Sequence, residues 1–188
     1  MFEPTLFDEC IDIIKQWQPK KAYSRELQYR DDLRDFLYEN LNNPNRRSGL
    51  WGGSIFNETE RGLVKKEDGR GLCDIAIGEK KVGIELKKDI KSKSQIDRLY
   101  GQIIRYKKEY TEGIIIVLVG KVNKYTEEEI RHLVSKESNT DNLWNSNQFQ
   151  IKVINKSTNF NKTKPKEQKR SPFGLTFENP FAQLKLDF

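Results

Sequence analysis

Three residues near the middle of the chain have the types and spacing of a metal-assisted hydrolytic centre. Residues 72–88 read LCDIAIGEKKVGIELKK. Asp74 falls in one β-type apolar run, and Glu85 and Lys87 stand two apart in the next. Alternate side chains of a strand share a face, so Glu85 and Lys87 point one way and Leu86 the other. The 78–80 segment, GEK, reverses the chain as a hairpin and lets Asp74 lie opposite or diagonal to Glu85. Two carboxylates and an ammonium then converge on an otherwise apolar hairpin. Oxygen ligands of this kind suit Mg²⁺, with Mn²⁺ as a substitute. A cation held there polarises a phosphodiester and lowers the pKa of an attacking water. A lysine beside it positions that water and offsets developing charge. Glu-x-Lys alone also occurs as a solvated pair on a strand. The flanking Ile75, Ile77, Val82, Ile84 and Leu86 argue against a purely surface location.

Those residues need elements to hold them. Residues 5–18 carry Leu6, Cys10, Ile13, Ile14 and Trp17 at helical spacing, with Pro19 closing the run. A second helix spans 24–42, with Ser24 as N-cap, Glu26 at its positive end and Leu27, Leu33, Phe36, Leu37 and Leu41 as its apolar face. Strands are expected at 62–66, 72–77 and 81–87. Residues 92–110 form a helix that buries Ile96, Leu99, Ile103 and Tyr106 or Tyr110. GIIIVLV at 113–119 is apolar throughout, as a strand covered on both faces must be. A helix at 125–138, with Thr126 as a possible cap, and a strand at 149–154 complete the pattern. The fold class is therefore α/β: a central mixed β-sheet flanked by helices.

With those elements in place, the region 24–120 resembles the PD-(D/E)XK nuclease superfamily, the fold of restriction endonucleases and archaeal Holliday-junction resolvases. Asp74, a hairpin, then Glu85-x-Lys87 match its signature, and the order α, β, β, β, α, β matches its core. Glu26, Leu33 and Leu37 match a pattern on the first core helix of many members. Gln102 and Tyr106, in QIIRY, match a Gln-x-x-x-Tyr pattern on the helix after the lysine strand. Cys73 stands where many members have proline. The resemblance implies a restriction-endonuclease-like core with an extra N-terminal helix and a C-terminal tail. It implies that Asp74, Glu85 and the carbonyl of Leu86 ligate Mg²⁺, that Glu26 ligates a second metal or its water, and that Lys87 orients the nucleophilic water. Gln102 and Tyr106 would contact the scissile strand or order the site; ordinary helix packing is the other reading of that pair. For Glu26 the other readings are a helix-dipole partner or an i,i+4 partner of Arg30.

The rest of the sequence bounds this expectation. The 188 residues carry 34 Lys and Arg against 28 Asp and Glu, a net of +6, with a mean hydropathy of −0.82. No apolar run reaches about 18 residues, which rules out a transmembrane helix. The first ten residues, MFEPTLFDEC, lack a signal-peptide layout. Two cysteines exclude a disulfide framework or a four-cysteine metal site and point to a reducing cytoplasm. One histidine, His132, excludes mechanisms that need two. Arg46, Arg47, Arg61, Lys65, Lys66, Arg70, Lys88, Lys91 and Lys93 flank the candidate site in sequence and can meet DNA phosphates. Trp51, in GLWGG, either stacks on a base or covers the core. The domain is expected to span 1–154, followed by a basic linker at 155–170 with a net of +5 and a phenylalanine-rich end at 171–188. That end either folds back or binds a protein partner. The reading is a Mg²⁺-dependent DNA endonuclease, structure-directed or weakly specific, acting as a homodimer because duplexes and junctions are two-fold objects. A non-catalytic DNA-binding or scaffold protein acting through its tail is the rival reading, and the intact Asp74, Glu85 and Lys87 weigh against it.

Overall fold

The computed structural model describes residues 5–42, 64–66, 72–139 and 149–157. Four helices and five strands lie among them: α1 (Leu6–Gln16), α2 (Glu26–Leu41), β1 (Val64–Lys66), β2 (Ile75–Ile77), β3 (Val82–Lys88), α3 (Lys93–Tyr106), β4 (Gly113–Val119), α4 (Lys124–Asn139) and β5 (Gln150–Lys156). The strands form one open sheet in the order β1-β2-β3-β4-β5. β1, β2 and β3 are antiparallel neighbours; β3, β4 and β5 are parallel. The protein is therefore α/β with a mixed sheet, as the sequence pattern predicts. The antiparallel half needs only a turn between β2 and β3. The parallel half needs crossovers, and α3 and α4 supply them. Right-handed crossovers place both helices on one face, and both pack there.

That face buries Ala76, Ile114, Ile116, Leu118 and Val153 of the sheet against Ile96, Leu99, Ile103, Tyr106, Ile130 and Val134. The opposite face buries Ile75, Ile77, Val82, Ile84, Leu86, Ile115, Val117 and Val119 under α1 and α2. β4 thus contributes to both cores, which is why no polar residue interrupts it. Each such aliphatic side chain contributes about 1.5–3 kcal/mol of burial free energy.

Local chemistry sets the boundaries, and it moves several of the expected ones. Thr5 caps α1: its Oγ1 accepts the Asp8 N–H at 3.2 Å, and Asp8 Oδ2 accepts the Thr5 N–H at 3.1 Å. The helix ends at Gln16 rather than 18, because Trp17 turns extended as its ring is buried. At α2 the N-cap is Arg25, not Ser24; the Gln28 side chain accepts the Arg25 N–H and the Ser24 hydroxyl, each at 3.2 Å. Leu27 is 54% exposed, and Tyr29, at 2%, takes its expected place in the core. There the Tyr29 hydroxyl accepts the Tyr23 N–H, and the two rings meet edge to face. Thr126 does not cap α4. Asn123 does so from one turn earlier, accepting the Thr126 N–H at 2.7 Å, and Thr126 is buried. β5 runs to Lys156 instead of 154, because Asn155 and Lys156 pair in register with Leu118 and Val119. The ordered domain therefore extends at least two residues past its expected end. The rest of the 155–170 segment beyond Ser157, and all of 171–188, lie outside the described residues.

Candidate active site

β3 carries the site on its α3-facing side. The β2–β3 register pairs Ile75 with Ile84, Ala76 with Gly83 and Ile77 with Val82. One step further, Asp74 comes opposite Glu85. Asp74 stands just before β2 rather than inside it. β3 is longer than β2, so its edge continues past the last pair with N–H groups that meet no strand among the described residues. Side chains satisfy them. Asp74 Oδ2 accepts the Leu86 N–H at 2.8 Å, and Glu26 Oε2 accepts the Lys88 N–H at 2.6 Å. Asp74 and Glu26 thus line the same free edge, two residues apart along β3.

Glu85 projects from the face, only 3% exposed. Its Oε1 takes Lys87 as an ion-pair partner and accepts the Gln102 amide N–H at 2.9 Å. Its Oε2 accepts the Tyr106 hydroxyl at 2.9 Å, and Gln102 also donates to the Tyr106 oxygen at 3.0 Å. Gln102 and Tyr106 are one turn apart on α3, which is why both reach the same carboxylate. Burial pushes the carboxyl of Glu85 up, with the charge of Asp74 adding to it and Lys87 opposing. Burial also pushes Asp74 up, against the Leu86 N–H and the charges of Lys87 and Arg30. Burial and the Glu85 charge push the Tyr106 phenol far above its ordinary range, so it stays a donor.

No protein-family model, no curated protein and no solved structure matches this chain.

The local chemistry must therefore carry the reading. Two carboxylates held close in a largely buried place call for positive charge, and among the described residues Lys87 answers both while Arg30 acts on Asp74. The Gln102 carbonyl oxygen is buried and accepts no hydrogen bond. An all-oxygen donor set with surplus negative charge fits a hard divalent cation such as Mg²⁺.

The structure brings Asp74, Glu85, Lys87, Gln102 and Tyr106 together, and sets Glu26 and the Leu86 backbone beside them. Lys88 pairs with Asp89 at the end of β3. Arg46, Arg47, Arg61, Arg70 and Trp51 lie outside the described residues. His132 is exposed on α4, away from the packed face. The supporting roles of three residues escaped sequence reasoning. The Tyr110 hydroxyl accepts the Cys73 N–H at 3.1 Å and so fixes the residue before Asp74. Gly83 leaves room for that contact: a Cβ there would stand 2.6 Å from Cys73 Sγ and 3.0 Å from the Tyr110 ring. The only signal was the glycine itself, inside a strand, which marks close approach. Arg30, on α2, acts on Asp74 through its charge and bonds Asp31 at 3.2 Å.

Proposed function

We propose that the protein is a metal-dependent DNA endonuclease of the PD-(D/E)XK type, acting on DNA structure or with weak sequence preference. The observation that carries this reading is the convergence on Glu85. A carboxylate opposite it, an ammonium beside it and two donors from α3 meet on a face where the fold alone would take aliphatic residues. Asp74, Glu85 and the Leu86 carbonyl would hold Mg²⁺, or Mn²⁺ in its place, and Glu26 on the same edge would serve a second ion or its water. The cation would polarise the scissile phosphodiester and acidify water at neutral pH.

The chain's own residues do the rest. Gln102 and Tyr106 fix the Glu85 carboxylate in one orientation, as the partners of a metal ligand must. Lys87 pairs with Glu85. With a cation held beside Glu85, the ammonium would be free to orient the attacking water and to meet charge developing on phosphate. Hydrolysis then adds water across one phosphorus–oxygen bond, leaving a phosphate on one end and a hydroxyl on the other. A homodimer would present two such sites to the two strands of a duplex or junction.

The test is cleavage of supercoiled plasmid, linear duplex, single strand and four-way junction with Mg²⁺ or Mn²⁺, beside Lys87→Ala and Asp74→Ala. Metal-dependent cutting that both substitutions abolish is the expected result. No cutting of any substrate, with DNA binding unchanged by both substitutions, would refute it and leave a non-catalytic DNA-binding scaffold.

A further inference from the structure

α3 has a second face that packing does not explain. Its inner side is buried through Ile96, Leu99, Ile103 and Tyr106. Ser94, Arg98, Gly101, Arg105 and Lys108 recur at spacings of four, three, four and three on the outer side, and all are exposed. That spacing makes one stripe. Arg98, Arg105 and Lys108 form no ion pair among the described residues. Several other basic side chains are paired, among them Lys66 with Asp31, Lys80 with Glu109, Lys87 with Glu85, and Arg131 with Glu127.

Gly101 sits at the middle of the stripe. Glycine inside a helix is a poor helix former relative to alanine. A glycine is tolerated there when something must come close. Among the described residues nothing does so: a Cβ at Gly101 would have no atom within 4 Å. Its φ is not in the left-handed region, so backbone geometry does not demand glycine either. That open space leaves room for a neighbour from outside the chain.

The stripe also adjoins the site. Arg98 is four residues before Gln102 and Arg105 three after it, so both guanidiniums flank the side chain that holds Glu85. Arg98 to Arg105 spans about 10 Å of helix, close to about three nucleotide rises of 3.4 Å.

We infer that the outer face of α3, with the turn that follows it, is a docking surface for the phosphate backbone of duplex DNA, with Arg98 and Arg105 on phosphates about three nucleotides apart, Lys108 beside them and Gly101 admitting the backbone against the helix. The inference rests on the nuclease reading for the identity of the ligand. Charge complementarity favours a phosphodiester over a second copy of this chain, which would bring the same cations face to face.

The experiment measures binding of a short fluorescein-labelled DNA duplex by anisotropy, with EDTA present so that nothing is cut, between about 50 and 200 mM salt. The variants are R98A/R105A, Gly101→Ala and, as a control, Lys136→Ala on α4. Loss of two phosphate contacts makes the slope of log K against log salt shallower by about 1.8. Gly101→Ala is expected to raise Tm by about 2–4 °C yet weaken duplex binding severalfold. A merely structural role would not produce that opposition of signs. An unchanged slope in R98A/R105A overturns the proposal, as does a wild-type chain that binds no duplex. A shift in sedimentation mass of the free variants, with duplex binding intact, assigns the face to a second copy and also overturns it. Cleavage is scored separately with Mg²⁺. A duplex that binds through the stripe and is never cut refutes the nuclease reading alone. A duplex cut by a protein whose R98A/R105A slope is unchanged refutes the stripe alone.

Discussion

β3 and β4 are neighbours in the same sheet, parallel and in register, yet they read differently. β4 is GIIIVLV and β3 is VGIELKK. On the face toward α3, Gly83 stands beside Ile114, Glu85 beside Ile116 and Lys87 beside Leu118. On the other face the two strands agree, with Val82, Ile84 and Leu86 as apolar as Ile115, Val117 and Val119. The fold plainly accepts aliphatic residues on both faces, since β4 has them. A buried carboxylate at 85 carries a desolvation cost that an isoleucine there would not. Glu85 is kept tolerable by three donors, and this gathering of Lys87, Gln102 and Tyr106 around one side chain is what the proposed site rests on.

Substitution at register partners sharpens the contrast. Lys87→Ala should lower the cleavage rate by at least about 10²–10³-fold, with the thermal melt and circular dichroism of the folded protein retained. A variant that cuts normally would remove β3's claim to chemistry. Ile116→Ala, one position from Glu85 across the ladder, should cost about 2–5 kcal/mol in a denaturant melt while activity per folded molecule is kept. Tyr106→Phe removes one donor from Glu85 and leaves the ring in place. Metal affinity, followed by Mn²⁺ titration, should fall by about 10–100-fold, with helix content unchanged.

The subtlest difference is in pH dependence. Asp74 and Glu85 have folded-state values raised by burial above their ordinary 3.8 and 4.5. The folded chain therefore binds protons more tightly than the unfolded one. That contribution to stability is fully present below the ordinary values and is lost as pH rises through the raised ones. Metal-free Tm should decline across that window, and Asp74→Asn should flatten the decline because its amide still accepts the Leu86 N–H. Mg²⁺ should restore stability most at high pH, where the carboxylates are already ionised. A Tm that rises with pH over this range, unaltered by Asp74→Asn, would show that neither group is raised.

Much of this was legible in the residues. GIIIVLV gave β4 with its bounds, because a strand covered on both faces leaves an uninterrupted apolar run. Period two and the intervening turn put Asp74 opposite or diagonal to Glu85, and the β2–β3 register makes it opposite. Contacts made between elements were not legible. Glu26 looked like a helix-dipole partner or a ligand, and its bond to the Lys88 N–H depends on where α2 docks against a strand edge. Leu27 and Tyr29 exchanged places because α2 has a weakly defined apolar face, and tertiary packing chose the tyrosine. Asn155 and Lys156 look like the start of a polar linker. They belong to β5 because the strand beside them continues, and Asn155 also bonds Glu127 of α4.

The strands lie side by side in the order in which they occur along the chain. During synthesis each new strand therefore emerges next to a partner that already exists. Domains generally form as units, N-terminal parts first. β2 and β3 can zip as soon as both are out, bringing Asp74 and Glu85 together early. Gln102 and Tyr106 come later, on α3. For that interval the nascent protein carries a pair of facing carboxylates whose helical donors have not yet been made, and Lys87, with Arg30 of the earlier α2, is the countercharge on hand. The lysine paired with Glu85 in the finished sheet thus also offsets charge on the hairpin while the remainder of the protein is being translated.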